Sequence, residues 1–237
     1  MDIGTMPQRI INLFGYSLII NTETVICSWI VMAVLVIIAL MARRAILASS
    51  DSLVPNRFQA AVELIIGAFD NLCTETLGEK RARLYFPFIM TIFLFVWIGN
   101  VLDVLPPVFN LIPDFKAPAG DLNTTLGLGI VVFLVFNLSG IYYKGFINYF
   151  AEWFQPFIFM FPLNFVGEIA KVISLSFRLF GNIMGGGIII IVVGHLVHHL
   201  VIPIFLDGFF GIFVGTIQAF VFTMLSLVYI ATAIAED

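Results

Sequence analysis

The sequence predicts an all-α polytopic membrane protein, with about five membrane-embedded helices and one interfacial amphipathic helix in a single domain over residues 1–237. Three observations predict it. Hydrophobic residues make up 61% of the chain and charged residues only 11%, about half the charge of a water-soluble domain. The mean hydropathy is +1.08. Several apolar runs approach about 20 residues, the length a helix needs to cross the hydrocarbon core. No stretch reads as a soluble domain, an internal repeat or a low-complexity linker.

The first span covers about 24–42 and is followed by Arg43 and Arg44. A cleavable signal peptide carries its positive charges before the apolar region, so this is a retained span with the N-terminus outside. Residues 56–80 mix apolar and charged residues at helical spacing, which suits a helix lying at the membrane surface. Arg81 and Arg83 precede a second span, about 85–105. A loop holding Pro106, Pro107, Pro113 and Pro118 leads to a third, about 124–143, ending at Lys144. A long apolar stretch, about 157–200, is broken by Glu168, Lys171 and Arg178. The last, about 203–235, ends in Glu236 and Asp237. Both final stretches are long for simple spans. Each is either one tilted or bent helix or a normal span plus an interfacial piece.

Alternation of the spans puts Arg43, Arg44, Arg57, Lys80, Arg81, Arg83 and Lys144 on one side, and Arg9 and Lys116 on the other. Positive-inside reasoning makes the first side cytoplasmic, and the C-terminus with it. The net charge of −4 adds little to this. Cys27 and Cys73 match no metal or disulfide spacing, and neither a metal nor a cofactor is expected.

Arg178 is the informative residue. About 20 residues separate it from either end of its apolar stretch, roughly 30 Å along a helix, further than a side chain snorkels. Burying it costs about 2.5–3.5 kcal/mol on insertion scales, and it cannot escape by losing its proton. It therefore needs a counter-charge or a water-filled cavity. A structural ion pair would meet that need, but the neighbours favour water. Lys171, Ser174, Arg178, Asn182 and Gly185 recur at i, i+3, i+7, i+11 and i+14, one stripe of a helix. Glu168 lies at its cytoplasmic margin. Gly181, Gly185, Gly186 and Gly187 remove side chains beside the stripe, so another helix can approach closely. On the last segment Asp207, Gly211, Gln218, Phe222 and Tyr229 form a second stripe, in which the Gln218 amide can hydrogen-bond a guanidinium without neutralising it. Two polar-striped helices with an unpaired arginine make half of a site, and the missing acidic half belongs on another polypeptide.

The segments "PLNFVGEIAKVI" (162–173), "SLSFRLFGN" (174–182) and "GTIQAFVFTMLSLVYIA" (215–231) resemble subunit a of the F-type ATP synthase. "WIGNVLDVLP" (97–106) and "DLNTTLGLG" (121–129) resemble two further motifs of that family. The resemblance spans nearly the whole chain and is strongest after residue 160. It implies a non-catalytic stator subunit of a rotary motor, its last two helices long, tilted and packed against a rotor ring of carboxylate-bearing c subunits. It implies that Arg178 is the essential arginine, with Gln218 as its hydrogen-bonding neighbour and Asn182 in the same motif. Ser174, Glu168, Lys171, Tyr229, Asn100, Asp103 and Asp121 would line two offset proton half-channels. Gly181, Gly185, Gly186, Gly187 and Phe222 would meet the ring. The implied partners are the c ring, the peripheral-stalk subunit b, the rest of the synthase and the lipid bilayer, with no nucleic acid. The implied location is a bacterial inner membrane.

The sequence departs from the family at two positions. Many relatives carry a carboxylate nine residues after the arginine, or a titratable group seven before the glutamine, where this chain has Gly187 and Gly211. His195, with an ordinary pKa near 6.5, is the expected substitute on the outer path. His198 and His199 read as interfacial residues at a helix end. Two other readings carry less of the pattern. A secondary transporter binding an anion at Arg178 would show repeated halves, and none is present. A metalloenzyme using His195, His198 and His199 lacks an accompanying acidic base. Whether the ion is H⁺ or Na⁺ stays open at this point, because its ligands lie mainly on the rotor.

Overall fold

The computed structural model describes residues 8–13, 16–48, 57–104, 117–154, 157–197 and 201–235. Five helices are long and apolar enough to cross a membrane, spanning Thr22–Ile46, Glu79–Val104, Leu122–Lys144, Phe161–Leu196 and Phe205–Ile234. This is the expected class. His198, His199, Lys116 and the prolines Pro106, Pro107 and Pro113 lie outside the described residues.

The chain begins with an element that hydropathy did not signal. Strands β1 (Gln8–Leu13) and β2 (Tyr16–Asn21) pair antiparallel, Gln8 opposite Asn21 and Leu13 opposite Tyr16. The runs "RII" and "SLII" supply the β-branched residues that favour strands. Helix α1 (Thr22–Ala48) follows directly.

Helix α2 (Arg57–Leu77) and helix α3 (Glu79–Val104) are joined by a single residue, Gly78. Its φ of 78° is a left-handed conformation that costs glycine little, and its N–H donates to the Thr74 carbonyl at 3.0 Å to close α2. Phe69, Cys73 and Leu77 are buried on one face of α2, at i, i+4 and i+8, the spacing of an amphipathic helix. Burial, reinforced by the Asp70 carboxylate, pushes the Cys73 thiol up to about 11, so it stays a neutral packing group.

Asp121 accepts from the Asn123 N–H at 2.9 Å and caps helix α4 (Leu122–Lys144). A second positive-φ residue, Gly145 at 81°, turns the chain into the short helix α5 (Phe146–Glu152). Hydropathy counting missed α5, because seven residues cannot cross a bilayer and their apolar side chains merge with the next stretch. Helix α6 (Phe161–Val197) is continuous for 37 residues, about 55 Å of helix against about 30 Å of hydrocarbon. The final segment is also one helical run: α7 (Val201–Gly208), a π-helical stretch Phe209–Val214, and α8 (Gly215–Ile234). Each of the two long stretches is therefore one long helix.

The core lies where α8 packs against α3 and α4, with α6 against α4 and the last helix. Residues 218, 219, 222, 223, 226, 227, 230 and 234 of α8 are all buried, the period of one helical face. The polar members Thr223 and Ser226 return their hydroxyl protons to the Ala219 and Phe222 carbonyls, each at 2.8 Å. Of the apolar windows of α3 and the last span, 44% is buried inside the chain, but only 11% of those of α1 and α6. Most of α6 therefore faces outward.

Candidate functional site

Arg178 stands on that outward face of α6. Among the described residues it makes no hydrogen bond or ion pair. Ser174, one turn earlier, and Gly181 are exposed on the same helix. A Cβ built at Gly181, Gly185 or Gly187 would meet nothing within 4 Å. Gly186 differs, since its Cβ would come within 3.2 Å of Phe210, so it is where α6 and the last helix touch. Phe222, expected at the outer contact, is only 1% exposed and sits in the core.

A cleft of about 70 Å³ opens where α3, α6 and the last helix meet. Asn100, Asp103, Asn182, Gly186, Gly187, Asp207, Gly211 and Gln218 line it. The bond anticipated between Gln218 and the guanidinium is absent. Gln218 Oε1 instead accepts from Asn182 Nδ2 at 2.6 Å, because its amide is sealed in the helix interface while Arg178 faces outward. Gln218 Nε2 is buried without a partner, as is Asn100 Oδ1. Each orphan costs about 1–3 kcal/mol unless water reaches it.

The last helix is held here by α3. Asn100 Nδ2 donates to the Gly215 carbonyl at 3.1 Å, and Trp97 Nε1 donates to Thr216 Oγ1 at 2.9 Å. Both bonds sit beside the π-helical stretch, a local irregularity often found at functional sites. The contact requires glycine: a Cβ at Gly211 would fall 1.8 Å from Val104 Cγ2, and one at Gly215 2.9 Å from Asn100 Cβ.

A second cavity, about 350 Å³, lies between α4, α5, α6 and α8. Tyr149, Glu152, Asn164, Glu168, Lys171 and Tyr229 are on its wall. Lys171 Nζ pairs with Glu168 Oε1 and lies 5.7 Å from the Phe136 ring centroid and 5.6 Å from that of Tyr229. The carboxylate pairs with the ammonium, and the two ring faces add a weaker cation–π attraction. The other Glu168 oxygen, Oε2, is buried and unpartnered. Burial, with the Glu168 and Glu152 carboxylates nearby, pushes the Tyr149 phenol up to about 12. It is therefore a fixed donor, to Asn137 Oδ1 at 2.9 Å.

The two cavities share no lining residue. On α6 the larger one stops at Lys171 and the cleft begins at Asn182, and Arg178 lies between them. Tyr229 joins the larger cavity, so the stripe on the last helix divides between the two. Asp121 lines neither. Its carboxylate accepts from Asn21 Nδ2 at 3.1 Å and Thr24 Oγ1 at 3.0 Å, which ties the start of α1 to α4. Burial pushes that carboxyl up, but the hydrogen bonds from Asn21, Asn123 and Thr24 outweigh it and leave it below its ordinary value. His195 is exposed, donates Nδ1–H to the Ile191 carbonyl at 2.9 Å, and does not line the cleft. Asp207 does, and sequence reasoning passed over it as a site residue. Its place on the Gly211–Gln218 stripe was the available signal.

Residues 25–231 match the family model described as ATP synthase A chain. The chain is 36% identical over 223 residues to "ATP synthase subunit a, sodium ion specific" of Propionigenium modestum, covering 91% of this chain and 75% of that protein. It is 35% identical over 214 residues to "ATP synthase subunit a 1" of Crocosphaera subtropica, covering 88% and 85%. It is 36% identical over 213 residues to "ATP synthase subunit a" of Aliarcobacter butzleri, covering 88% and 87%.

Proposed function

The chain belongs to the ATP synthase A chain family, and from that membership we propose that it is the ion-translocating stator subunit of a rotary ATP synthase. Membership makes it a membrane protein whose partner is the rest of a synthase complex. The finer reading is that the outward face of α6 meets a ring of c subunits, with subunit b elsewhere on the chain. A guanidinium facing lipid alone would be prohibitive. A rotor carboxylate opposite Arg178 removes that cost.

One observation carries the reading: two separate polar cavities flank an unpaired arginine. The cleft with Asn100, Asp103, Asn182 and Gln218 is the outer half-channel, and the cavity with Glu168, Lys171 and Tyr229 the inner one. Arg178 has two roles between them. Its fixed charge repels protons and so prevents direct leakage from one cavity to the other. It also lowers the pKa of each rotor carboxylate that passes, releasing the proton into the exit path. Ring rotation then carries protons between the half-channels, driven by about 2.3 kcal/mol per charge per 100 mV. The length of α6 fits a tilted helix laid along the curved ring, with Gly181, Gly185 and Gly187 allowing close approach. The bias of basic residues supports an inner cavity on the cytoplasmic side and an N-terminus outside, and bacterial relatives support an inner membrane.

Arg178→Ala tests this in assembled complex in inverted vesicles. ATP-driven proton pumping is expected to be abolished, while passive leak rises because the barrier charge is gone. Wild-type pumping by this variant overturns the proposal.

A further inference from the structure

We infer that Asp207 is the titratable relay of the Gln218 cleft, taking protons at its mouth and passing them to water on the Gln218 side. The inference rests on the half-channel reading above. Two carboxylates line the cleft. Asp103 Oδ1 is engaged, accepting from the Ala117 N–H at 2.7 Å. Asp207 is half-buried, and among the described residues it has no hydrogen bond or ion pair. A carboxylate removed from bulk water and left without a protein partner must be solvated by cleft water.

The cleft has room for that water. About 70 Å³ exceeds the roughly 10–15 Å³ of such volume that a cavity needs to hold a water. Its deep end carries two residues more than nine-tenths buried, Asn100 at 2% exposed and Gln218 at 5%, each with an unpartnered atom. The surrounding protein supplies neither a donor for Asn100 Oδ1 nor an acceptor for Gln218 Nε2. Asp207 precedes Gln218 by 11 residues on one helical run, about 16 Å along the axis. The carboxylate and the orphaned amides thus mark the two ends of one hydrated path.

The relay step balances without any co-reactant. A hydronium at the mouth transfers a proton to an Asp207 oxygen, breaking its O–H bond and forming the carboxyl O–H. The carboxyl then releases that proton to the next water toward Gln218, regenerating the carboxylate. The other charged or titratable groups on the surrounding elements include Glu79, Lys80, Arg81, Arg83 and Asp103 on α3, and Glu168, Lys171, Arg178 and His195 on α6, and of these only Asp103 lines the cleft. The π-helical stretch between Asp207 and Gln218 carries none.

The test is the pH profile of ATP-driven pumping by the whole complex in inverted vesicles, normalised to assembled complex. Asp207→Asn keeps the shape and removes the titration, and is expected to slow pumping about ten-fold or more and to flatten the profile. Asp207→Glu is expected to keep at least about half of the rate, with its profile displaced toward higher pH in line with the higher ordinary pKa of glutamate. Wild-type rate and profile in both variants overturn the relay. If Asp207→Asn fails to assemble, an unshifted Asp207→Glu profile overturns it alone. Loss of pumping in Arg178→Ala beside normal pumping in Asp207→Asn removes the relay and leaves the stator reading standing.

Discussion

Asn182 Nδ2 donates to Gln218 Oε1 at 2.6 Å, joining α6 to α8 one turn beyond Arg178. The bond engages the Gln218 carbonyl oxygen and leaves its Nε2 buried without a partner. Gln218→Leu removes both the bond and the unpartnered donor. Pumping is expected to fall about ten-fold, the worth of one hydrogen bond of about 1.4 kcal/mol in the rate-limiting step. Adding Asn182→Leu should cost little more, because the two residues act as a unit. Fully additive losses in the double variant would show that they act separately.

The arrangement of spans gives a labelling pattern. Lys80 starts α3 and Asn123 starts α4, and both are exposed. Because α3 crosses once between them, cysteines at these two positions should react with an impermeant thiol reagent from opposite sides, Lys80→Cys from the cytoplasm. The native thiols add little background, since Cys27 and Cys73 are both buried. Labelling of both positions from one side would break the assignment of the half-channels.

The helices and the stripe on α6 were legible in the sequence because burial of apolar surface imposes a period that one chain displays on its own. Arg178, Asn182 and Gln218 were legible for the same reason, as polar residues that hydrocarbon would otherwise exclude. What they bond to was not. Which side chains meet is decided by helix rotation, and the close contacts at Gly186, Gly211 and Gly215 constrain that rotation. The division of the last helix between two cavities has the same origin. Asp121 looked like a channel residue because its segment, DLNTTLGLG, resembles a family motif. Its neighbours Asn21 and Thr24, distant in sequence, make it a cap and a tether. His195 was chosen by its titration range and its place two turns beyond Gly187, with no means of seeing that it does not line the cleft.

From these bonds, Asp121 is expected to contribute to stability rather than to pumping. Asp121→Ala loses a helix cap, worth about 1 kcal/mol, and frees the start of α1. The purified complex should release this subunit at a lower temperature, while the complex that remains assembled pumps normally. Because its folded-state pKa is depressed, the carboxylate's contribution is present above its ordinary value near 3.9. It is lost as pH falls through the lower folded value. The difference between wild type and Asp121→Ala should therefore shrink in strong acid. Impaired pumping by fully assembled Asp121→Ala would return this residue to the proton path.

Gly187 and Gly211 both line the cleft, yet they should respond in opposite ways to added side chains. A Cβ at Gly187 meets nothing within 4 Å, and the residue is exposed on α6. Gly187→Glu therefore introduces a carboxylate without displacing a neighbour, and its charge can be solvated from the cleft. Gly211 has no such room, since the first carbon would lie 1.8 Å from Val104 Cγ2 with the Asn100 carbonyl at 3.7 Å. Gly211→Ala must push α3 from the π-helical stretch, straining the Asn100 and Trp97 bonds, at an overpacking cost of about 1–3 kcal/mol. The expected result is normal assembly and pumping for Gly187→Glu, and reduced assembly for Gly211→Ala despite its smaller chemical change. Immunoblots of the membrane-bound complex, followed by pumping per assembled complex, separate the two effects. Normal assembly of Gly211→Ala would mean that α3 does not approach the last helix this closely. Failed assembly of Gly187→Glu would mean that the open face of α6 is filled, within the complex, by a surface that tolerates no side chain there.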